Sequence, residues 1–93
     1  MSDLSWTKEL MGSPDYRQRF FAEYWQTKIR YEKLNNFCNK IEAARITKTE
    51  EPRHDVPYKL LREQQRVMGQ YLHILEIRAV IESVDLEISL VEE

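Results

Sequence analysis

Phe20, Tyr24, Thr27, Tyr31, Leu34, Cys38 and Ile41 follow one another at alternating spacings of four and three. That spacing keeps returning to one side of an α-helix, so it draws a seam for a second helix to fill. Phe21, Trp25, Ile29, Phe37 and Ala44 lie beside the seam. They widen the apolar face beyond what one partner covers, so this helix is expected to touch more than one neighbour.

The start of this helix is marked by Ser13, Pro14 and Asp15. Serine is a good N-cap, proline suits the first helical position, and an acid suits the positive end of the helix dipole. The pattern predicts a helix over 14–45. Residues 46–56, "ITKTEEPRHDV", are polar and contain Pro52, so they read as a connection. A second helix is predicted over 57–82, with Asp55 as its cap and Pro57 in its first turn. Leu61, Met68, Leu72, Leu75 and Ala79 form one stripe on it; Val67, Tyr71, Ile74, Ile81 and Val84 form another. Gly69 inside a helix costs about 1 kcal/mol relative to alanine, which suggests close approach of the other helix there.

Two long helices and a short connection imply an antiparallel hairpin. Letting the two seams meet makes facing residue numbers add to about 102. That pairs Tyr31 with Tyr71 and Tyr24 with Arg78. Ahead of the hairpin, residues 3–11 are expected to form a short helix ended by Gly12. Behind it, Val84, Leu86, Ile88 and Leu90 alternate with Asp85, Glu87 and Ser89. Period-two alternation suits a half-buried strand, so residues 84–91 are a C-terminal arm, strand or helix. An isolated strand is unstable, and the β-prone residues 45–49 lie at the far end of the hairpin. The arm is therefore expected to reach another copy.

The whole chain of 93 residues is expected to be a single all-α domain: a long antiparallel two-helix hairpin with a short N-terminal helix and a C-terminal arm, oligomeric. A net charge of −2 does not suit a duplex-DNA binder. One cysteine rules out an intrachain disulfide. No apolar run approaches the roughly 20 residues of a membrane span, and the N-terminus lacks the pattern of a signal peptide. A soluble protein of the cytoplasm is the expectation.

The segments "EYWQTKIRYEKLNNF" (23–37) and "LLREQQRVMGQYLHILEIR" (60–78) resemble small helical-hairpin proteins of tailed phages, related to a crAss-like phage hypothetical protein. The matching positions include Glu23, Tyr24, Lys33, Leu34, Phe37, Leu61, Gln65, Met68, Tyr71, Leu75 and Arg78. The resemblance implies a phage origin and a hairpin, and no activity. Small phage proteins acting in the host cytoplasm are often anti-defence proteins. Some are oligomeric sponges that sequester cyclic nucleotide immune signals.

Catalytic patterns are poor. His73 and Glu76 share a helix face, and His54 adjoins Asp55, but a metal site needs three or four convergent ligands. Cys38 lies on the seam, where a small apolar residue fits. No phosphate-binding glycine loop or nucleophile elbow occurs. An enzyme is not expected, and neither is a metal or cofactor. Arg17, Arg19, Lys28, Arg30 and Lys33 alternate with aromatics, but mostly opposite the seam, so nucleic acid is not expected either.

The candidate ligand-binding residues are Tyr24, Tyr31 and Tyr71 for stacking, and Lys28, Arg30 or Arg78 for phosphate, with Lys28 and Arg78 preferred. Phe21, Trp25, Val84, Leu86, Ile88 and Leu90 are the candidate oligomer interface. The leading expectation is a homo-oligomer, dimer or tetramer, that binds a cyclic nucleotide. The alternatives are a protein-binding inhibitor of a host defence protein and a structural oligomerisation module.

Overall fold

The computed structural model describes residues 5–87. Three helices follow in order: α1 (Ser5–Met11), α2 (Tyr16–Thr47) and α3 (Tyr58–Glu82). The described residues contain no strand. Helices α2 and α3 form the hairpin, and α1 packs on α2.

The cap of α2 is Asp15, two residues later than expected. Its Oδ1 accepts the Arg17 N–H at 2.9 Å. Ser13 takes a supporting part, its hydroxyl accepting the Asp15 N–H at 3.0 Å. Pro14 therefore precedes the helix instead of opening it. Lys48 ends α2 in the left-handed region with φ 58°, and its N–H bonds back to Ala44. Asp55 does not cap α3. That helix begins behind Pro57, which has no side-chain cap and whose carbonyl accepts the N–H groups of Leu60 and Leu61. A proline with φ already near the helical value prepares the turn without a cap.

Four contacts define the register. Tyr24 meets Glu76, Asn35 meets Gln65, Glu42 meets Tyr58 and Tyr31 meets Gly69. Facing numbers add to 100 in every case, two residues short of the expected 102. Tyr31 thus faces Gly69 in place of Tyr71, and Tyr24 faces Glu76 in place of Arg78. The reason is size. A Cβ on residue 69 would stand 3.3 Å from Cε1 of Tyr31, so the ring settles where glycine leaves room.

Phe20, Tyr24, Leu72, Leu75 and Ala79 form the buried cluster near the open end of the hairpin. Cys38, Ile41 and Ala44 are buried nearer the connection. Ala22 and Ile29, on the far side of α2, are buried too. From that side Gln26 donates to the Thr7 hydroxyl of α1 at 3.3 Å. Part of the extra apolar surface on α2 is thus covered within the chain, with Phe21, Trp25 and Phe37 left half-buried.

The arm contributes to that cover. Ser83 turns the chain with φ 60°, and the Val84 N–H bonds to the Ala79 carbonyl at 2.8 Å. Arg17 donates to the Ser83 carbonyl, and the Trp25 indole N–H donates to the Leu86 carbonyl, each at 2.8 Å. Val84 and Leu86 pack against the buried cluster, while Asp85 and Glu87 are exposed. The alternation is real, but its partner is α2 of the same chain, and residues 84–87 are neither helix nor strand. Ile88 and Leu90 lie outside the described residues. Replacing the indole donor, Trp25→Phe, is expected to cost about 1 kcal/mol of stability. Urea unfolding measures this; an unchanged midpoint would show that the arm is not tied by that bond.

No described helix is long and apolar enough to cross a membrane.

Candidate functional site

Helices α2 and α3 enclose a groove of about 490 Å³ along one edge of their seam. Thr27, Arg30 and Leu34 line it from α2, and Gln64 and Met68 from α3. The spacing of three and four on each helix puts these side chains on one edge. Leu34 and Met68 are apolar and half-buried, whereas Arg30 and Gln64 are polar and exposed.

Arg30 differs from most arginines of the chain. Arg45 pairs with Glu51, Arg62 with Glu42, Arg66 with Glu63 and Arg78 with Glu82. Arg17 and Arg19 donate to backbone carbonyls. Among the described residues the side chain of Arg30 makes no hydrogen bond or ion pair, and neither do those of Thr27 and Gln64. Arg53 is also unpaired, but it sits on the exposed connection, away from the groove.

The five residues proposed from sequence do not gather in one place. Tyr24 is buried and donates to Glu76 Oε2 at 2.7 Å; burial first, then that carboxylate, pushes its phenol well above the usual range. Tyr31 fills the space at Gly69. Tyr71 donates to Glu23, whose hydrogen bond raises the phenol pKa. Lys28 stands 3.9 Å from Glu32. Arg78 lies 4.9 Å above the Phe20 ring and donates to Tyr16 and Glu82. Each polar end that sequence reasoning left open has found a partner, except the Tyr31 hydroxyl, which makes no hydrogen bond among the described residues. Arg30 was one of several cations in a basic stretch, and nothing in sequence tells which of them stays unpaired.

Of the proposed interface residues, Phe21, Trp25, Val84 and Leu86 make contacts within the chain, and Ile88 and Leu90 lie outside the described residues. Trp25 packs edge-on against Tyr24 at 5.3 Å and holds the arm. Phe21 lines a smaller cleft of about 210 Å³ with Leu10, Arg17, Gln18, Val84 and Asp85. The open apolar surface is on α3. Leu60, Val67, Ile74 and Ile81 recur every seventh residue and are 57%, 49%, 52% and 75% exposed. Tyr71 and Ile77 flank them and are exposed too. A seven-residue repeat is the signature of a helix seeking another helix. Gln64 and Met68 of the groove interleave with this stripe along α3.

His54 belongs to neither feature. Its two ring nitrogens face acceptors: Glu51 Oε1 at 2.9 Å and the Val56 carbonyl at 2.7 Å. Two acceptors favour the doubly protonated ring, and the Glu51 hydrogen bond raises its pKa above the ordinary value. Arg45, the other charge facing this cluster, also bonds Glu51 and opposes the shift. The stabilisation is complete below the unfolded-state pKa of about 6.5 and is lost as pH rises through the folded value. Melting between pH 6 and 8 is expected to show this loss, and His54→Gln to flatten it. An unaltered slope in the variant would exclude the imidazolium as its source.

Glu76, the neighbour of His73 on α3, accepts the Tyr24 hydroxyl on one of its two oxygens. Among the described residues no group of three or more His, Cys, Asp or Glu is placed to hold a metal ion. Cys38 is buried.

The fold and groove define a small all-helical protein built on a long antiparallel hairpin with one open helix face. The Sequestin family model matches residues 14–81, which span α2, the connection and α3. The chain belongs to the Sequestin family; α1 and the arm lie outside the matched segment. No curated protein and no solved structure matches the chain, so the likeness to a crAss-like phage protein gains no named relative.

Proposed function

We propose that this protein is a phage anti-defence sponge: a homo-oligomer that binds and sequesters a cyclic nucleotide immune signal in the host cytoplasm. The family name denotes sequestration. The observation that carries the reading is the adjacency of two features on α3. A groove with unpaired polar groups borders an exposed heptad stripe. A second copy seated on the stripe would close the groove and bring two equivalent pockets together. A cyclic dinucleotide carries two bases and two phosphates, so a two-fold assembly offers each kind of contact twice.

The chemistry is binding without turnover. Thr27, Arg30 and Gln64 hold and orient charge, and they include no base placed to activate a nucleophile. The function needs no cofactor. Titration calorimetry and thermal shift with a panel of cyclic di- and trinucleotides test the proposal. Saturable binding with stabilisation is expected, and the absence of binding across the panel would end it.

The stripe also favours a second reading. An apolar heptad face can receive a helix of a host defence protein, making the chain a protein-binding inhibitor. A complex of unlike chains abolished by Ile74→Glu, with no cyclic nucleotide bound, would select this reading.

A further inference from the structure

We infer that Arg30 is the anion-binding residue of the groove and that the ligand's phosphate diester sits between Arg30 and Thr27, a site that excludes Lys28 and Arg78. The inference rests on the sequestration reading above and names the atoms that would carry it. An arginine that lines the groove and has no counter-ion among the described residues retains its full capacity for a ligand. Its planar fork matches two oxygens of a phosphate. Lys28, by contrast, already has Glu32 beside it, and Arg78 is engaged by Glu82, Tyr16 and the Phe20 ring. Recruiting either would first require breaking those contacts.

The rest of the groove completes the chemistry. Thr27 stands one turn before Arg30 on the same edge, so its hydroxyl can donate to an oxygen of the same phosphate. Leu34 and Met68 supply an apolar surface for the face of a base, and a thioether suits an aromatic ring. Gln64 offers an amide that donates and accepts, the pattern needed at a base edge or a ribose hydroxyl. A volume of about 490 Å³ falls within the range of small-molecule sites.

The test compares the full chain with Arg30→Gln and Arg78→Gln by calorimetry against cyclic di-AMP, cyclic di-GMP and a cyclic triadenylate. Circular dichroism confirms that each variant folds. For whichever nucleotide the wild type binds, Arg30→Gln is expected to weaken affinity at least tenfold. Arg78→Gln is expected to stay within threefold, and Arg30→Lys to fall between. Rising salt should weaken the wild type more than Arg30→Gln. If the wild type binds and Arg30→Gln binds equally well, the assignment to Arg30 is overturned while the sequestration reading stands. If the wild type binds none of the panel, both fall together.

Discussion

Leu75→Ala is expected to cost about 3–4 kcal/mol and to lower the melting temperature by roughly 15–25 °C. Leu75 is fully buried amid Phe20, Tyr24, Leu72 and Ala79. Truncation there removes transfer free energy and leaves a cavity that rings on two sides cannot easily fill. The loss is large because the chain is small. Total stability for such a domain lies near the lower end of about 5–15 kcal/mol, so the variant will be close to unfolded at physiological temperature. Val80→Ala is the matched control. Val80 is on the same helix but 80% exposed, and its truncation should shift stability by no more than about 0.5 kcal/mol. Urea unfolding followed by circular dichroism measures both. A cost under about 1 kcal/mol for Leu75→Ala would mean that the cluster is not the core.

The second large effect concerns assembly. Ile74→Glu places a carboxylate at the middle of the Leu60–Val67–Ile74–Ile81 stripe. In a symmetric pair each copy contributes the change, so two charges would be buried without partners. Buried unpaired charges cost several kcal/mol each, and the dissociation constant should rise on the order of a hundredfold or more. Light scattering is expected to show a dimer or larger for the wild type and the 11.3 kDa monomer for the variant. Helix content should remain, because residue 74 is 52% exposed in the single chain. A wild type that is already monomeric would remove the stripe as an interface, and with it the closed pocket.

The two long helices were legible in the sequence because their signals are redundant. The 4-3 seam, the polar run with Pro52 and the Ser-Pro-Asp start each point the same way. The register was missed by two residues. Matching seam to seam treats all apolar positions as equal, whereas the volume of Tyr31 and the gap at Gly69 decide where the helices settle. The helix starts moved for a local reason, the backbone geometry around Pro14 and Pro57. The fate of Phe21 and Trp25 was hidden for a different one. Their cover comes from α1 and the arm, segments too short to announce a packing partner. Period-two alternation at 84–87 did report one buried and one open side, but periodicity says nothing about which chain supplies the surface.

The site was less visible still. Sequence shows the charge of a side chain and not its neighbour. Lys28, Arg30 and Arg78 all read as available cations, yet Lys28 and Arg78 face carboxylates while Arg30 lines the groove. Tyr24 and Tyr71 likewise spend their hydroxyls on Glu76 and Glu23. Their pairing could have been guessed only after the register was known, since it depends on which turn of α3 stands opposite.

Gly69 acts as a shim. Gln64, five residues earlier, points some 140° around the same helix, so the Tyr31–Gly69 contact and the groove lie on opposite edges of the seam. A methyl group added at 69 would stand 3.3 Å from Cε1 of the tyrosine ring, so the ring would have to give by a few tenths of an ångström on that edge alone. The packing of that edge therefore answers to residue 69, which is none of the residues that line the groove. The fit of the helices behind the groove is thus set by a residue that has no side chain to offer.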